Sequence, residues 1–183
     1  QFTNNNDVNF FWTAPVDPDS SVSTLTLCVG TTPYSDDIGS FDVTGFVEYT
    51  VPDAPEGDVY AFLKAYNPSA YYSSSDSSDG IFVDTQPVDV DLDMALFAEC
   101  ETTPTISGTF SDPDPSSGVT GVEFRPVNTN SAVPTSPSFI SADISGNPDG
   151  TWSGAITPPL PEEGIFDLEV RGVDNALNRQ IET

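Results

Sequence analysis

Oxygen-bearing side chains are the most plentiful chemical groups of this chain, because aspartate and glutamate together number 29. Carboxylate and amide oxygens are hard ligands, and roughly six to eight of them suit Ca²⁺. Many of the aspartates lie in turn-like stretches, although none of these matches an EF-hand loop. We predict a calcium site from the residues Asp84, Asp89, Asp91, Asp112, Asp114, Asp174 and Asn175. The competing interpretation is that these residues are ordinary acidic turns.

Catalytic chemistry has little support in the residue types. The chain contains no histidine, which excludes Ser-His-Asp and Cys-His arrangements. A pair of carboxylates can hydrolyse glycosides, but no pair stands out among so many acids. We therefore predict that the protein is not an enzyme.

The two cysteines, Cys28 and Cys100, permit one disulfide. No CxxC spacing accompanies them, so a zinc site is not expected. An intrachain bridge, an intermolecular bridge and two buried thiols are the three interpretations, and the redox compartment decides among them.

Aromatic side chains outside the expected strands are candidates for stacking on sugar rings. Tyr66, Tyr71 and Tyr72 lie beside the serine-rich stretch 73–78 and form such a group. The alternative is that Tyr66 packs at a strand end beside a flexible tip. Trp12 and Trp152 lie in alternating segments, which predicts core positions for both.

Charge excludes two classes of partner. The only basic residues are Lys64, Arg125, Arg171 and Arg179, and the formal net charge is -25. Such a surface repels nucleic acid and anionic membranes. The longest apolar run, Met94–Ala98, is too short to span a bilayer, so membrane insertion is not expected. Aromatic residues make up 11% of the chain and argue for a folded protein rather than a disordered one.

Period-2 alternation of apolar residues is the main local pattern, and it predicts β-strands. The 17 prolines and 13 glycines break any long helical pattern, so essentially no α-helix is expected. The alternating segments include Val8-Phe10-Trp12, Leu25-Leu27-Val29, Val47-Tyr49-Val51, Val59-Ala61-Leu63-Ala65, Ile81-Val83, Ile106-Gly108-Phe110, Val122-Phe124, Trp152-Gly154-Ile156 and Phe166-Leu168-Val170.

Two motifs recur in the same order in both halves, as expected for duplicated modules. One is Asp-Pro-Asp followed by Ser-Ser, and the other is Glu-Gly before a long strand that ends in Asn. We predict two tandem β-sandwich domains, spanning residues 1–86 and 87–183.

Longer stretches resemble known extracellular modules. The run from Trp12 through Gly30-Thr31 and Ala65-Tyr66-Asn67 to Val83-Asp84-Thr85 resembles a fibronectin type III module. The stretches 104–109, 149–153 and 170–175 resemble the immunoglobulin-like repeats of bacterial adhesins. This resemblance implies that the loop after the second strand lies near the loop between the last two strands. In the second domain these loops carry four of the calcium candidates, and they lie next to the linker, which carries the other three.

The resemblance also implies a secreted or cell-surface protein with structural or adhesive work, such as a subunit of a filament or stalk. Its partners are then copies of itself or neighbouring repeat modules. The start, Gln1-Phe2-Thr3, fits a mature secreted chain and equally an excised fragment. The alternative function is a surface module that binds carbohydrate or protein through its loops.

The ends of the first domain depart from the module pattern. The stretch 1–7 is short and polar where a first strand is expected, and alternation then continues from Val88 to Cys100. One interpretation is a linker plus the first strand of the second domain. Another is that the first sandwich is incomplete and receives a strand from a neighbouring subunit. A piece of a longer repeat array explains the same ends.

Overall fold

The computed structural model describes residues 1–93, 103–128, 138–157 and 166–182. Every regular element in these ranges is a β-strand, which confirms the all-β prediction. The described ranges contain no helix that is long and apolar enough to cross a membrane. By its contacts the chain divides into two compact units, Gln1–Thr85 and Gln86–Thr183.

The first unit contains two sheets that enclose one apolar core. Its strands are β1 (Phe2–Thr3), β2 (Val8–Phe11), β3 (Thr24–Gly30), β4 (Gly39–Asp42), β5 (Glu48–Val51), β6 (Gly57–Tyr66), β7 (Tyr72–Ser74) and β8 (Ile81–Val83). The larger sheet has the order β1-β8-β6-β3-β4, with β7 also paired to β6, and the smaller sheet is the pair β2-β5. Leu27 and Val59 of the larger sheet pack in one cluster with Val8 and Val51 of the smaller.

The second unit contains two four-stranded sheets. Its strands are β9 (Asp89–Asp93), β10 (Thr105–Ser111), β11 (Val119–Asn128), β12 (Ile140–Ser141), β13 (Asp143–Gly146), β14 (Gly150–Ala155), β15 (Phe166–Asp174) and β16 (Arg179–Glu182). The sheet orders are β13-β14-β10-β9 and β12-β11-β15-β16. Ile106 and Trp152 of the first sheet share a core cluster with Val122, Phe124 and Val170 of the second.

The two tryptophans differ in burial. Trp152 is buried, as predicted, and its Nε1 donates to the carbonyl of Asp91 at 3.1 Å. Trp12 is half-buried against the first core, and its Nε1 donates to the carbonyl of Phe46. Of the long alternation that begins at Val88, residues 89–93 form β9 and pair with β10, whereas residues 94–102 lie outside the described ranges.

Candidate functional site

Strand β2 has an open edge. It pairs with β5 on one side, and within the described residues no strand pairs with its other side. The amide of Trp12 donates to the carbonyl of Val47, and hydrogen-bonded pairs alternate along an antiparallel ladder. The N–H groups of Val8 and Phe10 therefore point at β5, whereas those of Asn9 and Phe11 point outward.

The residues of this edge lack the features that usually protect one. Edge strands of native sheets typically carry charges, prolines or bulges. None of the residues of β2 is charged, in a protein with 29 acidic residues. The side chain of Phe11 is 72% exposed, and Phe46 and Val47 beside the end of β2 are also exposed. The edge thus combines free backbone groups with exposed apolar surface.

A groove of about 240 Å³ lies along the same edge. Residues 10–12 line one part of it, and residues 75–78 line another. Residues 61–63 and Leu27 complete the lining. Leu27 and Ala61 belong to the core of the unit, and Leu63 packs against it. Core side chains therefore form part of the floor of the groove between β2 and the stretch that joins β7 to β8, although Leu27 and Ala61 are themselves only 2% and 6% exposed.

Serine hydroxyls explain why that stretch is not a regular strand. The amide of Leu63 donates to Ser75 Oγ, and the amide of Ala61 donates to Ser78 Oγ, each at 2.9 Å. These hydroxyls take the place of backbone carbonyls in the ladder with β6. Between them, Ser77 Oγ is buried and has no hydrogen-bond partner in the described chain. Ser77 also lines the groove.

The three candidate tyrosines line a single cleft of about 350 Å³. Tyr66 and Tyr72 are opposite each other in the β6–β7 hairpin, with ring centroids 5.3 Å apart. Tyr71 is 77% exposed and Tyr72 is 62% exposed. Residues 15–18, from the connection between β2 and β3, also line the cleft.

The second unit holds a buried pair of carboxylates. Asp112 follows β10 and Asp174 ends β15, and one oxygen of each lies within 4.8 Å of the other. Asp112 accepts hydrogen bonds from Ser116 Oγ (2.6 Å) and the amide of Gly118 (2.7 Å). Asp174 accepts two from Asn178, at 2.8 and 2.9 Å. Two ionised carboxylates held this close repel each other strongly when water is excluded, and a cation relieves that repulsion.

The other calcium candidates of the second unit are exposed and do not belong to this buried pair. Asp89 and Asp91 are exposed on β9, and Asp114 is exposed in the loop after β10. Asn175 is exposed, and its Nδ2 donates to the carbonyls of Ser117 and Gly118. Asp84 belongs to the first unit, where it is buried and its amide donates to the carbonyl of Thr3.

Cys28 is buried on β3. Cys100 lies outside the described residues, so a bridge between them stays a prediction.

One cluster in the second unit was not expected from the sequence. Arg125 pairs with Glu169 and Arg171 pairs with Glu123, each at 2.6 Å across β11 and β15. Both guanidinium groups lie over the ring of Phe139, at 4.4 and 3.8 Å from its centroid. The sequence contains a Glu-x-Arg spacing on each of the two strands, but only the register between the strands shows that each arginine lies opposite a glutamate.

The chain matches no protein-family profile and no curated protein.

Proposed function

We propose that this protein is an extracellular structural subunit that assembles into a filament or stalk through β-strand edges. The observation that carries the proposal is the open edge of β2, with a groove beside it that reaches the core of the first unit. A strand supplied by a neighbouring copy is the occupant that fits, because its backbone satisfies the outward amides of β2. Its alternate side chains fill the groove and cover Leu63, which is only half-buried.

The proposal includes an immunoglobulin-like fold for both units. Its support is that each unit has two sheets on one core and that β15 pairs with both β11 and β16. In the first unit, the small sheet has two strands where the corresponding sheet of the second unit has four. Such a difference is what an acceptor unit requires. An extracellular setting agrees with the resemblance of the sequence to secreted modules.

We also propose that the second unit binds Ca²⁺ at Asp112 and Asp174. This proposal is supported by the two buried carboxylates, whose oxygens lie within 4.8 Å of each other. Serine hydroxyl and amide donors orient both side chains. The ion would stiffen the loops that follow β10 and β15.

The assembly proposal is tested by a proline placed on the open edge. Phe11→Pro removes an outward N–H while it leaves the hydrogen bonds of β2 to β5 in place. We expect regular filaments of the unaltered chain in electron micrographs and monomers of Phe11→Pro at the same concentration, with light scattering as the second readout. Phe11→Lys, which keeps the amide and adds a charge, should weaken assembly as well.

Ser40→Pro is the matched control. Ser40 is exposed on β4, which is an edge strand of the larger sheet. The amide of Val43 donates to the carbonyl of Leu25 on β3, and because inward and outward amides alternate along a strand, the amide of Ser40 points outward. This variant should assemble as the unaltered chain does. Monodisperse monomers of the unaltered chain would contradict the proposal, as would filaments that survive both changes at Phe11.

A further inference from the structure

We propose that the cleft lined by Tyr66, Tyr71 and Tyr72 binds an uncharged saccharide of one or two sugar rings. The proposal is independent of assembly through β2, because it rests on a different surface of the first unit. We call this surface the tyrosine cleft.

The size and shape of the tyrosine cleft suit a small ligand. Its volume of about 350 Å³ lies at the lower end of the range for ligand pockets, roughly 300–1,000 Å³. One wall comes from the β6–β7 hairpin and another from residues 15–18. The hairpin is held by the Tyr66–Tyr72 pair and by the amide of Asn67, which donates to the carbonyl of Tyr71 at 2.9 Å. The backbone of the hairpin and the rings of Tyr66 and Tyr72 are therefore positioned before any ligand arrives.

The tyrosines offer the mixed chemistry that a sugar ring needs. A pyranose ring has apolar C–H faces and a polar rim of hydroxyls. An aromatic ring packs against the apolar face, while a tyrosine hydroxyl reaches the rim. Exposure of Tyr71 and Tyr72 leaves both rings accessible. Tyr71 and Tyr72 are adjacent and both exposed, and contiguous exposed apolar surface favours a binding role.

Polar groups of the cleft complement the hydroxyls of a sugar. Asp17 is held by the amides of Asp19 and Ser20 and by the hydroxyl of Ser20, which keep its carboxylate ionised as an acceptor. Asn67 accepts through Oδ1 from Ser69 and Tyr71, at 3.0 and 3.2 Å. Its Nδ2 group has no acceptor within the described chain and is left to donate.

Charge selects among sugars. The lining contains Asp17 and no lysine or arginine, and the whole chain carries a formal charge of -25. Uronic, sialylated and sulfated sugars are repelled by such a surface. An uncharged saccharide avoids this penalty, so we expect neutral glycans to be selected over acidic ones.

The test is a glycan array that carries neutral glycans and matched uronic, sialylated and sulfated ones, followed by calorimetry with the best neutral glycan. We expect neutral binding only. Tyr71→Ala and Tyr72→Ala should each lower the affinity about tenfold, because each removes a stacking ring. Tyr72→Phe, which keeps the ring, should lower it less.

Tyr34→Ala is the matched control, since Tyr34 is 58% exposed and lies outside the cleft. It should bind as the unaltered chain does. The proposal is overturned by an array without neutral binding, by binding that the cleft variants leave unchanged, or by equal binding of acidic glycans. Tetramethylammonium that competes with the glycan at equal affinity would also overturn it, by identifying a cation site. Phe11→Lys should retain glycan binding even where it weakens assembly, so the two proposals can fail independently.

Discussion

Individual acidic residues of this protein are stabilised by hydroxyl groups a few positions away. Asp37, between β3 and β4, accepts hydrogen bonds from the hydroxyl of Ser35, from Thr31 Oγ1 at 2.7 Å and from the Thr31 amide at 3.0 Å. These bonds favour the ionised carboxylate and lower the pKa of Asp37 from 3.8 to about 2, with Ser35 as the largest cause. A β-carbon at Gly30 would lie 1.9 Å from Ser35 Oγ, so glycine is needed for this turn.

This lowered pKa predicts a pH dependence. A carboxyl group whose pKa falls on folding stabilises the folded state above its unfolded pKa of 3.8, and that stabilisation is lost as the pH falls through about 2. Ser35→Ala should raise the pKa of Asp37 part of the way back to 3.8, as measured by NMR titration of its carboxyl carbon. Ser20→Ala, which removes a hydroxyl from Asp17 instead, should leave Asp37 unchanged. An unchanged Asp37 titration in Ser35→Ala would contradict the assignment.

At the scale of strands, the sequence predicted the elements whose apolar residues alternate. Strands β2, β3, β5, β6, β10, β11, β14 and β15 all lie where alternation placed them. Strands β4, β7, β12 and β13 were not predicted, because they are edge strands of two to four residues with little buried side. Alternation reports burial, and a strand that buries one side chain leaves almost no pattern.

The same limit applies to the candidate sites. The tyrosines could be selected from the sequence because they are aromatic residues in a turn region. Their partners across the cleft, at residues 15–18, are distant in sequence and only the fold brings them near. An incomplete first sandwich was one interpretation of the sequence, but the sequence did not identify β2 as the open edge, and the structure has a two-residue strand, β1, before β2. The groove depends on the serine hydroxyls at Ser75 and Ser78, whose spacing alone carries no such signal.

Packing between the sheets of the second unit predicts an effect of single glycines. A β-carbon at Gly154 on β14 would lie 2.4 Å from the ring of Phe124, which is buried in the core, whereas one at Gly121 on β11 would meet nothing within 4 Å. Gly154→Ala should lower the free energy of unfolding by about 1–3 kcal/mol through overpacking. Gly121→Ala should have little effect or stabilise slightly. Chemical denaturation measures both, and equal effects would contradict this account of the packing.

At the scale of the whole molecule, acidity is the dominant property. The chain has 29 acidic and four basic residues, a formal charge of -25, and the mutual repulsion of the acidic side chains opposes folding. Monovalent salt at 0.1 M largely screens this repulsion between exposed charges that are more than about 10 Å apart. Any cation therefore stabilises the protein to some degree, and only an effect beyond screening identifies a calcium site.

The melting temperature of the protein in CaCl₂, in chelator and in NaCl of equal ionic strength separates calcium binding from screening. NaCl should raise the melting temperature through screening, and Ca²⁺ should raise it further because it binds only the folded second unit. At a free concentration about a hundredfold above Kd, the extra stabilisation is about 2.7 kcal/mol, or on the order of 10 °C for a domain of this size. Asp112→Asn and Asp174→Asn should lose the calcium increment and keep the salt increment, since asparagine retains one acceptor oxygen for the loop hydrogen bonds. Asp114→Asn, in the same loop but exposed, should keep both increments. Equal effects of calcium and matched salt on the unaltered chain would show that the buried pair binds no calcium. The stabilisation by cations would then come only from screening of the repulsion between acidic side chains.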